Sequence, residues 1–214
     1  MIVLGIDTAT VAGSVAIVDG DRVLSETSSE LPLGANLLAM IDAVCVGAGI
    51  SALNLDAVAI GAGPGSFTGL RIGMATAKGI AFASHCPLWA VSSLAAMAFA
   101  EGPFDGVIAA VLDARRGEFY AGAYRNGIAL GDERVVSPEQ LGAFLAALPA
   151  PSRIVADIDV PGGSLALPTG AAVARLALAG DRADVLVAGA PSYVRIPEVE
   201  LKYPDGVPGA LRRR

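Results

Sequence analysis

Five glycines, at positions 61, 63, 65, 69 and 73, punctuate the run Gly61-Ala-Gly-Pro-Gly-Ser-Phe-Thr-Gly-Leu-Arg-Ile-Gly73 and constrain the fold more than any other stretch. Apolar Ala57-Val-Ala-Ile60 leads in as a short buried strand, and Leu70 to Phe82 leads out with the pattern of a helix. Glycine serves where the chain takes positive φ or where another backbone comes very close. A strand, a glycine-rich turn and a helix start also gather free amides, which suits an anion. The loop therefore holds either a phosphate or protein. The phosphate reading lacks its usual parts: a Walker loop ends in Gly-Lys-Ser/Thr, whereas the first lysine is Lys78, well inside the helix, and a dinucleotide loop needs glycine where Ser66 stands. The plainest reading is a tight turn whose helix is capped by Ser66 or Thr68.

The chain has 214 residues, 54% hydrophobic and 17% charged. That composition excludes disorder and suffices for one large domain or two small lobes. Glycines and polar residues break every apolar run before it reaches membrane-spanning length. Met1-Ile-Val-Leu-Gly-Ile-Asp7 has no basic start and turns polar after six residues, unlike a signal peptide, so a cytoplasmic location is expected. Cys45 and Cys86 sit in or beside apolar helix patterns and read as buried free thiols. One histidine, His85, and two distant cysteines supply neither a zinc set nor a Ser-His-Asp triad, so no catalytic and no metal residues are assigned. A net charge of −6 disfavours unaided binding to nucleic acid. Arg212-Arg213-Arg214 is a local exception that reads as a solvated tail.

The first half reads as strands 2–7, 13–19 and 22–28, helix 35–48, strand 56–62 and helix 68–83, with a hairpin turn at Asp19-Gly20. A shift of 106 residues lays Asp7 on Asp113, each closing an apolar strand, and the Asp19-Gly20 turn on Arg125-Asn126. A helix at 138–148, a strand at 154–157 and a helix at 171–179 follow. The repeat predicts a duplicated α/β architecture, with lobes at 1–104 and 105–214. It is the plan of the actin-like, ribonuclease H-like fold shared with sugar kinases, in which the strand–Asp–turn–strand units of both halves grip ATP. Here those units read Asp7-Thr-Ala-Thr10 and Asp113-Ala-Arg-Arg-Gly117, without the Asp-x-Gly that admits a phosphate. Asp7, Thr8, Thr10, Asp113 and Arg115 are thus expected to line a vestigial cleft that binds ATP weakly or not at all. Asp7 reads as a structural turn residue or a metal-water ligand. Arg115, Arg116 and Glu118 read as cleft-lining or hairpin-edge charges, and Trp89 as core.

Ile6-Asp-Thr-Ala-Thr10, Gly63–Gly73, Ala77-Lys-Gly79, Val91-Ser-Ser-Leu94, Leu112–Tyr120 and Pro191-Ser-Tyr-Val-Arg195 together resemble the TsaB (YeaZ) family. The resemblance covers most of the chain, and the Gly63–Gly73 run is its most specific part. It implies a non-catalytic scaffold in the synthesis of threonylcarbamoyladenosine in tRNA. The implied partner is TsaD, the related transferase subunit, with the ATPase TsaE docking on that pair, tRNA met only through the complex, and a homodimer when alone. No cofactor is implied for the isolated chain, with ATP or ADP assigned to the junction with TsaD. TsaD itself carries a His-x-x-x-His motif that one histidine cannot supply. The alternatives are a stand-alone ATPase or kinase, a peptidase, or a homodimeric interaction protein.

The resemblance places the partner contact on the first two helices, and two patterns agree. Gly69, Gly73 and Ala77 recur every four residues, a row that lets another helix approach, with Gly73 expected at the closest point. Helix 35–48 is apolar nearly all round, so one side should face its own sheet and the other either a partner or another helix of the same domain. The expected interface comprises Leu37, Met40, Ile41, Val44, Gly69, Arg71, Gly73 and Ala77. Arg71 reads as a neutraliser of phosphate, a partner for a carboxylate, or a solvated charge.

Overall fold

The computed structural model describes residues 1–194. Strands β1 (Ile2–Asp7), β2 (Gly13–Asp19) and β3 (Arg22–Ser29) form an antiparallel meander, turning at Gly20 with φ 57° where a side chain would be strained. Helix α1 (Leu33–Ala48) crosses to β4 (Ala57–Gly61), and α2 (Phe67–Ala83) crosses to β5 (Leu88–Val91); both strands lie parallel to β1 or its neighbour. The first sheet has the order β3-β2-β1-β4-β5.

Alternation along the strands decides what each face of this sheet receives. Leu4 and Ile6 of β1, Val15 and Ile17 of β2, and Val58 and Ile60 of β4 point to one side, where α1 and α2 cover them. The other side carries Val3, Ala16, Ala57 and Ala59 and is covered by α5 (Gly170–Ala179). Small residues there permit close approach: a Cβ on Gly5 would lie 2.0 Å from the Gly170 carbonyl oxygen.

After α3 (Ser93–Ala100), capped by the Ser92 hydroxyl, the second lobe begins. It contains β6 (Val107–Asp113), β7 (Phe119–Arg125), β8 (Ile128–Ala129), β9 (Arg134–Val136), α4 (Pro138–Ala146), β10 (Ser152–Ala156) and β11 (Ser164–Leu165). Its sheet runs β11-β10-β6-β7-β8, with β9 also on β7. Ser137 and Gln140 cap α4 reciprocally, so the start of this helix is written in the sequence.

The duplicated α/β plan is present, with one correction to the repeat. The expected helix 171–179 does not match α2. It follows β11 and packs against α3, which follows β5, so α3 and α5 are the equivalent pair. Between β10 and β11 the chain runs through 157–163 without a helix, and among the described residues α2 has no counterpart. The end of the chain also crosses the 104/105 division. Besides α5 on β1, β2 and β4, Val185 N–H donates to the Leu88 carbonyl and Ser192 N–H to the Ala62 carbonyl, at 2.8 and 2.7 Å. Residues 184–192 thereby strap the first sheet. Cys45 and Cys86 are buried free thiols, and Trp89 is core. The Arg212–Arg214 run and Arg195 lie outside the described residues.

Candidate functional site

The glycine run closes on the turn that follows β1, at Thr8 and Ala9. Ser66 accepts from Gly69 N–H at 3.3 Å as the α2 cap, while Ser66 N–H donates to the Ala9 carbonyl at 2.7 Å. A Cβ on Gly65 would lie 2.4 Å from that same Ala9 oxygen. One on Gly69 would lie 2.2 Å from the Thr8 carbonyl oxygen, and one on Gly73 2.2 Å from Thr8 Oγ1. Together with fully buried Ala77, this row faces the protein's own first strand. The expectation that Gly69, Gly73 and Ala77 meet a partner is therefore corrected: a row of small residues reports close approach without saying to what.

Asp7 and Thr8 do not line the cleft. Both are fully buried. Asp7 Oδ1 accepts from Ala9 N–H at 2.8 Å, and Oδ2 accepts from the Ser93 hydroxyl at 2.6 Å, which ties β1 to the start of α3. Burial pushes its carboxyl up to about 6, against the downward pull of those two hydrogen bonds. Thr8 Oγ1 is buried with no partner among the described residues.

The interlobe cleft, about 530 Å³, is lined by Thr10, Ser66, Asp113, Arg115 and Asp157 among others. Thr10 Oγ1 donates to the Ala12 carbonyl at 2.9 Å. Asp113 pairs with Arg115 at 3.3 Å and also accepts from Arg115 N–H at 2.7 Å. Asp157, which the repeat did not single out, accepts from Asp113 N–H at 2.8 Å; burial raises its pKa, and the nearby Asp113 charge adds to the rise. Arg115 and Arg116 both adopt positive φ, at 64° and 60°. The polar groups that would greet a phosphate are thus engaged with one another. Among the described residues, no three His, Cys, Asp or Glu side chains gather as a metal group.

The outer side of α1 and α2 has a different character. Leu37, Met40, Ile41 and Val44 are buried against the sheet rather than offered outward, a second correction to the expected interface. The outward stripe of α1 carries Leu38 and Val46, 67% and 74% exposed, and that of α2 carries Phe82, 72% exposed. Gly34 of α1 lies beside the Ile72 side chain of α2, so the two helices adjoin. Arg71 is exposed on the same side of α2. The signal for Leu38 and Val46 was the all-round apolarity of α1, with periodicity unable to separate the inner from the outer side.

Two duplicated sheets, an α3/α5 pair packed against each other and a cleft between paired turns define a protein of the actin-like class. At the level of fold alone, inorganic polyphosphate/ATP-glucomannokinase from Arthrobacter sp. strain KM superposes with a TM-score of 0.50 at 12% identity, over 83% of this chain and 97% of that one. A Pseudomonas aeruginosa structure, described as an uncharacterized protein with similarity to peptidase YEAZ, gives a TM-score of 0.76 at 30% identity over 91% of this chain and 99% of that one. The family model of TsaD, tRNA N6-adenosine threonylcarbamoyltransferase, matches residues 33–187. The tRNA threonylcarbamoyladenosine biosynthesis protein TsaB of Bacillus subtilis (strain 168) is 35% identical over 132 residues, 60% of this chain and 58% of the relative. The match thus spans less than two thirds of that relative's length. The chain belongs to the TsaB/YeaZ family, within the wider group that the TsaD model describes.

Proposed function

We propose that this chain is a non-catalytic scaffold subunit in the synthesis of threonylcarbamoyladenosine in tRNA, and that it docks through the outer side of α1 and α2 onto a TsaD-type transferase subunit. The observation that carries this reading is the exposure of Leu38, Val46 and Phe82 on two adjoining helices. Covering three such side chains contributes roughly 2 kcal/mol each, and exposed apolar side chains gathered on adjoining helices suit a protein contact. The interlobe cleft supports the same reading, because Asp113 and Arg115 already pair with each other there. TsaE docks on the pair, tRNA is met only through the complex, and ATP or ADP binds at the subunit junction. Without its partner the chain pairs with itself through the same face. The setting is cytoplasmic; among the described residues no helix is long and apolar enough to cross a membrane.

The test is co-purification with the TsaD-type subunit of the same organism, using wild type and the double variant Leu38→Glu/Phe82→Glu. Loss of the pair with an unchanged melting temperature supports docking through this face. Retention of the pair by the double variant overturns it.

A further inference from the structure

One cation on the outer side of α2 is held in place but, among the described residues, left without an acidic partner. The Arg71 guanidinium carbon sits 3.9 Å from the centroid of the Phe67 ring. Its Nε donates to the Tyr193 hydroxyl at 3.0 Å, and the Phe67 and Tyr193 rings are 5.1 Å apart. Tyr193 comes from the strap that returns along the first sheet, so a distant part of the chain has been brought here to hold this side chain. Among the described residues, neither Nη of Arg71 makes a hydrogen bond or an ion pair. A guanidinium held over one ring and pinned through Nε leaves its two Nη groups as a fork, which matches the two oxygens of a carboxylate or phosphate. Much of the side-chain entropy that ordinarily opposes such a pair is already lost in the free protein.

Its place on the helix selects the ligand. Arg71, Ala75, Lys78 and Phe82 follow one another at four- and three-residue spacing, so they share a stripe, with Arg71 about 16 Å from Phe82 along the axis. Lys78 is occupied, since its Nζ donates to the Val187 carbonyl at 3.3 Å. The adjoining stripe of α1 carries a carboxylate, Asp42, among its apolar residues. Polyanions such as RNA are held by several cations together, and among the described residues this face offers one free fork beside an acid, on a chain of net charge −6. We propose that Arg71, preorganised by Phe67 and Tyr193, is the specificity anchor of the docking face and takes a carboxylate side chain of the partner subunit at the edge of the apolar contact. This inference rests on the docking reading above.

The experiment measures the dissociation constant for the TsaD-type subunit of the same organism at low and high sodium chloride. The samples are wild type, Arg71→Met, Arg71→Lys, Tyr193→Phe and, as a control for docking itself, Leu38→Ser/Phe82→Ser. Arg71→Met should weaken binding roughly tenfold to a hundredfold and remove most of its salt dependence. Arg71→Lys should restore little, because an ammonium has no fork, and Tyr193→Phe should fall between wild type and Arg71→Met. If Arg71→Met binds like wild type while the Leu38/Phe82 variant does not, the anchor is overturned and docking stands. If both bind like wild type, the docking reading falls and the anchor with it. Weakened binding with unchanged salt dependence would make Arg71 a packing residue and overturn the carboxylate assignment. Binding of tRNA to the isolated chain that Arg71→Met abolishes would assign the fork to phosphate instead.

Discussion

The Thr8 hydroxyl oxygen lies 2.2 Å from the point where a Cβ on Gly73 would stand, so the turn after β1 and helix α2 pack with no room for a side-chain carbon between them. Gly73→Ala therefore overpacks a buried contact, a change that costs roughly 1–3 kcal/mol. For a chain of this size each kcal/mol lowers the melting temperature by about 2–4 °C. Adding Thr8→Ala removes both the clashing hydroxyl and an unpartnered buried oxygen, so the double variant should recover much of the loss. Strict additivity of the two changes in thermal melts would show that the residues do not touch.

A second expectation concerns acidity. The Asp7 carboxyl titrates near 6 in the folded protein and near its ordinary value, about 3.9, when unfolded. The folded state thus binds more protons between those two points, and the stability from this group is fully present below about pH 4. It falls as the pH rises through 6 and is flat above. In Asp7→Asn the side-chain oxygen still accepts from Ala9 and the amide donates to Ser93, without a charge to bury. Relative to wild type, the variant should gain about 2 kcal/mol between pH 4.5 and pH 7.5. Urea denaturation at the two pH values gives this difference, and an unchanged difference would place the Asp7 carboxyl in its ordinary range.

Glu133 collects two hydroxyls. It accepts from Tyr124 at 2.6 Å and from Ser92, and the Tyr124 ring is almost wholly buried. Burial, and then the Glu133 charge, push the Tyr124 phenol upward, so it remains a donor. Glu133→Ala orphans both donors, at about 1–3 kcal/mol for a buried one. Tyr124→Phe removes a donor and leaves Glu133 with Ser92. Equilibrium unfolding should rank Glu133→Ala as the more destabilising of the two, and the reverse order would show that solvent satisfies the Tyr124 hydroxyl.

A purified sample of the isolated chain should neither turn over ATP nor cleave peptides, and calorimetry with magnesium and ATP should show no tight binding. The reason is that Ser66 N–H is already given to the Ala9 carbonyl and Arg115 to Asp113, which engages donors a phosphate would need. Turnover above about one per second, abolished by Asp7→Ala, would make the chain an enzyme in its own right.

Much of this architecture was legible in the residues. β1, β2, β4, β6 and β7 each carry an apolar run bounded by a turn signal or Asp, and α4 announces its start with Ser137 and Gln140. β5 and α3 were not placed, because Leu88–Val91 and Ser93–Ala100 are apolar throughout. A segment buried on every side has no polar face to reveal its period. The same physics hid the site. α1 is apolar inside and out, so Leu37 and Leu38, adjacent in sequence, have opposite fates that only the position of the sheet decides. Asp157 and the Phe67–Arg71–Tyr193 cluster depend on contacts across 44 and 122 residues, which local pattern cannot carry.

The helix missing between β10 and β11 bears on assembly geometry. A duplicated chain with an outward helix pair on each lobe would be divalent, and repeated contacts of that kind propagate into filaments unless the rotation happens to close. Among the described residues the second lobe has α4 but no equivalent of α2, so there the helix pair occurs once. If docking runs through this pair as proposed, each molecule accepts one neighbour there, and the duplication that built the fold is left with a valence of one.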